Sequence, residues 1–450
     1  MESISGQIEK IKKIVGLGHL NSALNELSAV FLTLQNSPSL LGRSLNIPAF
    51  DHLCQDIGEA SCYALFGASC KPVPEPHDVI LITNLNCHGG HGEIVKDIAA
   101  LNDLPVLVVA TNLHELKIPI LGDYLTDPNI LGIEIAEGKT ALDRLRDIQQ
   151  RLVRPSVRRI FMLHHGHDAI ANAAATRDLS APVYFLHHCD HTPALGCHLE
   201  NVVHVDLHNL SYHRCRHDDG IASNRYLCLT ARGGKVRAPA RFASPFFKTA
   251  SCGGEHKIHS PSYPIGYADL VVEILRIGQG RHHHIGPLSK GLIATVQRKL
   301  ADANIDPAHF IHVGSAPQLA DILHCLEIDL YFPTMPQGGG KGIIEAMSAG
   351  VPVLIHENGA DRLWSGRDLA YPEALSWRTL KDLNSLIGGF DEVSWKYQSE
   401  AARRYFSLYH APAKFAEMLI LAKDEPILPP LKPYRPDPDI RLQYALSKVQ

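Results

Sequence analysis

Histidine is the first chemistry-bearing feature of this chain: 27 of its 450 residues are His, and eleven of those lie between positions 164 and 217. They come in short polar runs: Asn86-Cys87-His88-Gly89-Gly90-His91-Gly92, His164-His165-Gly166-His167-Asp168, His187-His188-Cys189-Asp190-His191 and Asp206-Leu207-His208. Each run follows an apolar stretch that reads as a strand. In an open parallel sheet, ligands bind beyond the carboxyl ends of the strands, so these runs would line a cleft. Imidazole titrates near neutrality and suits general acid–base work. His88, His91, His188 and Asp190 are among the residues that would face the cleft.

A second stretch, PTMPQGGGKGIIEAMSAGVPVLI (333–355), sets three glycines and a lysine between a strand and a helix. Backbone N–H groups at such a turn can cradle a diphosphate, and Lys341 can add a point charge. Glu345, read as lying near the start of the helix, can accept hydrogen bonds from ribose hydroxyls. The spacing GxxxxGK[ST] is absent, so the stretch is not a P-loop. Gln337, Gly338, Gly339, Gly340, Lys341 and Glu345 form a candidate nucleotide site.

The elements that must position these groups follow from the apolar pattern. Segments 8–17 and 20–32 have helical spacing and 41–66 reads as helix interrupted at Pro48, so residues 1–70 are expected as a helical N-terminal extension. KPVPEP (71–76) reads as a linker. Strands are expected at 78–85, 105–110, 130–135, 159–163, 183–186 and 202–205, several of them separated by helices, which predicts βαβ units and a parallel sheet over 77–240. A second series follows, with strands at 246–251, 282–286, 311–313, 329–333 and 351–355, over 245–410. The boundary is expected near 238–244. Residues 411–450 complete the chain as the end of a helix and a Pro-rich tail, with 426–438 as a strap. Arg281-His282-His283-His284 reads as a strand edge, and Trp364, Trp377 and Trp395 as packing residues.

Composition limits the function classes. Forty-three Lys+Arg against 47 Asp+Glu gives a net charge of −4, which does not favour nucleic acid as a partner. No apolar run is long enough to span a bilayer. The start, MESISGQIEKIKKI, lacks a signal-peptide core. The ten cysteines form no CxxC pair, which fits a reduced, cytoplasmic chain and argues against a four-cysteine zinc site.

Residues 337–354 resemble the donor-site motif of GT-B glycosyltransferases, where a Gly-rich loop precedes "EAMxxGxPV". Glu345 matches the acidic residue that holds the nucleotide ribose in that family. Retaining members usually carry a second glutamate eight positions earlier; here that position is Gln337. Residues 246–275 are similar to the first strand and helix of the C-terminal domain in the O-GlcNAc transferase and bacterial protein-glycosyltransferase group. Lys257 matches the lysine that contacts the donor diphosphate there. Residues 86–98 look like that group's first N-terminal loop, whose functional histidine is matched best by His88, with His91 as the other candidate. The resemblance implies an α/β GT-B architecture of two Rossmann-like domains facing across a cleft, after a helical extension.

It implies a hexosyl- or N-acetylhexosaminyl-transferase that takes a nucleotide-sugar as co-substrate, with no other cofactor and no metal. The acceptor would be a protein, a glycan or a lipid-linked glycan, the last of these bringing a peripheral contact with a membrane. Lys257, Lys341 and loop amides would stabilise the leaving diphosphate, and His88, His91 or a member of 187–191, with His188 and Asp190 as the candidates there, would serve an inverting enzyme as base. Two other readings stay open. The His/Asp runs supply ligands suited to a metallohydrolase, although no known metal signature matches. A non-catalytic nucleotide-sugar-binding scaffold would also account for Gln337.

Overall fold

The strand His77–Ile82 is buried along its whole length, and so is Val106–Ala110. Strands with no polar face belong inside a sheet covered by helices on both sides, the environment of parallel βαβ units. The computed structural model contains two such sheets. It describes residues 3–37, 40, 46–62, 75–84, 90–114, 126–188, 190–232, 246–258, 263–315, 318–359, 361–420, 427–435 and 437. The chain divides into two compact units, 1–227 with 416–426, and 228–415 with 427–450. The boundary expected near 238–244, like His88 and Cys189, lies outside the described residues.

The sheet of the first unit contains β1 (His77–Ile82), β2 (Val106–Ala110), β3 (Ile130–Ile135), β4 (Val157–Leu163), β5 (Val183–His187), β6 (Val202–Asp206) and β7 (Arg225–Tyr226). Their order is β3-β2-β1-β4-β5-β6-β7, with every pair parallel. This is the doubly wound order, which reverses direction between β1 and β4. Three N-terminal helices, Ile4–Gly16, Leu20–Gln35 and Pro48–Cys62, pack into the core of this unit. Ile11, Leu27, Phe31, Phe50 and Ile57 share one apolar cluster with Val79, Leu81 and Met162. Pro48 opens the third helix rather than interrupting one, because a first-turn proline needs no N–H partner.

The second unit contains β8 (Lys248–Cys252), β9 (Arg281–Ile285), β10 (Phe310–Gly314), β11 (Leu330–Pro333), β12 (Leu354–His356) and β13 (Leu375–Trp377). The order β10-β9-β8-β11 is extended by a parallel bridge from Tyr331 to Val353, just before β12, and β12 pairs with β13. The reversal falls between β8 and β11. The α/β fold class of two Rossmann-like domains expected from the sequence is the one observed.

The triple histidine of β9 is not at a sheet edge. β9 lies between β8 and β10, and its histidines are buried. They are tolerated there because hydroxyls and, for His283, the Thr249 carbonyl at 3.4 Å give them partners. His282 meets Thr249 Oγ1 at 2.8 Å and Ser251 Oγ at 3.0 Å; His284 Nδ1 meets Tyr267 OH at 2.7 Å. Trp364, Trp377 and Trp395 are buried, as packing residues are. Part of the Pro-rich tail is strapped down: the Lys432 ammonium donates to Tyr405 OH, and Tyr434 OH to the carbonyl of Asn358. No helix among the described residues is long and apolar enough to cross a membrane.

Candidate functional site

In the second unit, the two loops at the sheet's reversal point are pressed together. After β8 the chain runs through Gly253 and Gly254 into a single helical turn, Glu255–Ile258, that carries Lys257. After β11 it runs through Thr334 to Gly339 into the helix Gly340–Ser348. Gln337 N–H donates to the Lys257 carbonyl at 3.3 Å, and Thr334 Oγ1 donates to the Gln337 carbonyl at 2.7 Å. His284 reaches from β9 to the Gly253 carbonyl at 3.0 Å. Burial lowers the pKa of His284 to about 4, so the ring is neutral and Nε2–H is free to donate. Gly338 has no room for a side chain, since a Cβ there would lie 2.4 Å from the Trp364 carbonyl oxygen, which its own N–H bonds at 2.6 Å.

Lys257 is the central group of this site. Its ammonium lies beside Gly339, 3.8 Å from where a Cβ would stand on that glycine. Desolvation lowers its pKa, opposed by the nearby Cys252 thiol, and no carboxylate is paired with it among the described residues. A half-buried cation next to the N–H groups that open a nine-residue helix is an anion-binding arrangement.

Two expected donor residues are placed differently from the sequence reading. Glu345 sits in the middle of the helix, not at its start, and its buried carboxylate accepts the Leu319 N–H at 3.1 Å. Lys341 directs its ammonium to the Thr230 carbonyl. Gln337, Gly338, Gly339 and Gly340 lie together in the loop beside Lys257.

In the first unit, the histidine runs do converge. His91 opens the helix Gly90–Leu101 after β1; His165 and His167 follow β4, and His188 follows β5. Ring centroids of His188 and His91 are 4.0 Å apart, of His91 and His165 4.9 Å, and of His165 and His167 5.7 Å. His114, after β2, continues the row at 5.2 Å from His167. Five imidazoles thus line the carboxyl ends of β1, β2, β4 and β5, at the reversal point of the sheet. Asp168, next in sequence to His167, ties this turn to its neighbours, accepting the Ala171 N–H at the helix Ala169–Ala174 and the Thr111 hydroxyl just past the end of β2. Burial, then neighbouring His165, lowers the pKa of His167 to about 4, so its ring is neutral at physiological pH.

Asp190 has other partners. It accepts from the Ser211 hydroxyl and faces His191 Nδ1 at 3.6 Å. Burial alone would raise its pKa; the His191 hydrogen bond and the charges of His208, His191 and His187 outweigh that and hold the carboxyl below the usual range.

Among the described residues, two groups of side chains have the donor set and spacing to hold a metal. The ligand atoms of His114, His165 and His167 lie within 4.8 Å of one another, as do those of His187, His204, Asp206 and Cys215. His114 is absent from the residues singled out by sequence, being a lone histidine rather than part of a run. Its signal is its place four residues past the end of β2, a strand end equivalent to those that carry the histidine runs. Gln35, which bonds His167 Nδ1 at 2.9 Å from a distant N-terminal helix, carries no local signal.

No protein-family model matches this chain, and no curated protein matches it. Solved structures do. An O-GlcNAc transferase mutant from Thermobaculum terrenum superposes with a TM-score of 0.51 at 15% identity, over 99% of this chain and 85% of that one. HepE from Anabaena, solved with UDP-glucose, gives 0.57 at 11% identity over 76% and 98%. A glycosyltransferase from Rickettsia africae gives 0.56 at 13% over 78% and 100%. The chain has the GT-B fold of these glycosyltransferases.

Proposed function

We propose that this chain is a glycosyltransferase that moves a hexosyl or N-acetylhexosaminyl group from a nucleotide-sugar to a protein, glycan or lipid-linked glycan. The observation that carries the reading is Lys257, a half-buried ammonium beside Gly339 at the reversal point of the second sheet. The neighbour HepE was solved with UDP and with UDP-glucose, which supports UDP as the first nucleotide to try.

Sugar transfer develops negative charge on the leaving diphosphate. Lys257 and the first N–H groups of the helix Gly340–Ser348 would stabilise that charge, with no metal needed for the step. Glu345 would hold the ribose, as the family motif implies. His91 and His188, two of the five clustered imidazoles, are the candidates to take the proton of the acceptor hydroxyl, with His88 alongside them on the strength of the resemblance. A thermal-shift screen against UDP-, GDP-, ADP- and dTDP-sugars tests the donor half, since a ligand that binds only the folded state raises the melting midpoint. Release of UDP from UDP-sugar in the presence of acceptor tests the enzyme and excludes a non-catalytic scaffold. No midpoint shift with any of the four classes would reject the reading.

A second reading has one observation in its favour. His114, His165 and His167 could bind a metal through three imidazoles and leave a position open for water, as hydrolytic zinc sites do. It predicts a chelator-sensitive hydrolase that is indifferent to Lys257→Met.

A further inference from the structure

The strand β5 ends on His187, β6 carries His204 and Asp206 on one face, and the helix Asn209–His217 presents Cys215. All four side chains are buried, at 1%, 4%, 0% and 1% exposure respectively. Their potential ligand atoms lie within 4.8 Å of one another. Asp206 Oδ1 is 3.2 Å from His187 Nδ1 and 3.1 Å from His204 Nε2, and Cys215 Sγ is 3.4 Å from the same His187 Nδ1.

These separations are long for charge-assisted hydrogen bonds, which run at about 2.7–2.9 Å. The Sγ–Nδ1 separation matches an edge of a coordination tetrahedron, and the two to Asp206 Oδ1 fall just short of one. With metal–ligand distances of about 2.0 Å to nitrogen or oxygen and about 2.3 Å to sulfur, neighbouring ligand atoms stand about 3.3–3.6 Å apart. The other carboxylate oxygen makes a contrast: Asp206 Oδ2 accepts an ordinary hydrogen bond from Asn224 Nδ2 at 2.7 Å.

We infer that His187, His204, Asp206 and Cys215 bind one zinc ion in a closed, structural site. The donor set is two imidazoles, a carboxylate and a thiolate, which suits zinc. A divalent ion with one carboxylate and one thiolate is neutral overall, so burial carries no net charge. Surrounding groups orient two of the ligands, His187 and Asp206, as metal sites require, while His204 Nδ1 is buried without a hydrogen-bond partner. With His187 bound through Nδ1, its Nε2–H faces Cys197 Sγ at 3.7 Å, and Asn224 fixes the Asp206 carboxylate while also donating to the Tyr212 carbonyl at 2.9 Å. Binding replaces the Cys215 S–H bond with a Zn–S bond and releases that proton to solvent. The ion ties β5, β6 and the helix Asn209–His217 together, and Asn224 brings in the turn before β7. With four protein ligands there is no open position, so the site holds the fold and does no chemistry.

The test uses the full chain purified without chelator and then equilibrated with zinc and desalted. The site predicts about one zinc per chain, and a melting midpoint that falls on treatment with a strong chelator and recovers on adding zinc back. Replacing zinc by cobalt should give a near-ultraviolet thiolate charge-transfer band and the strong visible bands of a tetrahedral ion. Cys215→Ser should lose the charge-transfer band. Cys197→Ser and the double variant His165→Ala/His167→Ala should keep both the band and the metal. A wild-type chain that takes up no zinc and melts identically with and without chelator would overturn the inference. So would loss of the metal in the His165→Ala/His167→Ala variant, or retention of the band in Cys215→Ser.

Discussion

Lys257→Met keeps the apolar stem that lies over Gly253 and removes only the charge. In the structure the ammonium stands beside Gly339 with no carboxylate paired to it among the described residues. A phosphate oxygen in the space above Gly339 would therefore be the first anion to reach it. Coulomb attraction between unit charges about 4 Å apart at an effective dielectric of about 20 sets a ceiling of about 4 kcal/mol. The net value of a hydrogen bond to a charged group is about 1.5–3 kcal/mol, which is about 10- to 150-fold in affinity. UDP should thus bind Lys257→Met that much more weakly, while uridine, which lacks the diphosphate, should bind as before. Without ligand, the variant should melt no lower than the wild type, because burial disfavours the charged form it removes.

The pH dependence has a definite sign. The ammonium's pKa is already lowered in the free protein and a bound diphosphate would raise it, so binding takes up protons. UDP affinity must then fall as pH rises through the lowered pKa of the free protein, earlier than for an ordinary lysine, and that dependence should be flat in Lys257→Met. Isothermal titration in two buffers of different ionisation heat measures both. Equal weakening of UDP and uridine, or no weakening of UDP, would refute the reasoning.

Other outcomes rest on the same geometry. Gly338→Ala forces a Cβ to within 2.4 Å of the Trp364 carbonyl oxygen; overpacking of this kind costs about 1–3 kcal/mol, so it should lower the melting midpoint and the UDP affinity together, as a thermal melt and a titration would read. Glu345→Ala leaves the Leu319 N–H without its acceptor and should cost about 1–3 kcal/mol of stability in addition to donor affinity; Glu345→Gln, still an acceptor, should recover most of the stability, and an unchanged melt for Glu345→Ala would contradict the placement. His91→Ala and His188→Ala should lower turnover by about 10²–10⁴-fold if one of these rings is the base, with donor affinity held; steady-state kinetics beside UDP titration separates the two effects.

Much of this molecule could be read from residue order because its signals are local. Runs such as VILI at 79–82 and VLVVA at 106–110 have no polar face and so announce buried parallel strands. The three glycines at 338–340 announce a tight strand–helix turn. The histidine runs could be placed at strand ends, and one parallel sheet then brings them together. What could not be read depends on contacts distant in sequence. The zinc-binding set takes its members from positions 187, 204, 206 and 215, with no pair at a familiar metal spacing. The inner position of the β9 histidines is not legible locally, because Thr249, Ser251 and Tyr267, whose hydroxyls satisfy His282 and His284, come from elsewhere in the chain. Glu345 is expected near the helix start from its place after the Gly-rich loop, whereas its mid-helix position and its bond to Leu319 depend on a neighbouring helix.

The central claim is that the two loops at the reversal point of the second sheet hold the diphosphate of a nucleotide-sugar. A crystal structure of the full chain with UDP tests it most directly. The account predicts the diphosphate within hydrogen-bond distance of Lys257 Nζ and of the N–H groups that open the helix Gly340–Ser348, with the ribose toward Glu345. UDP bound elsewhere, or a diphosphate that leaves Lys257 and Gly339 untouched, would contradict it.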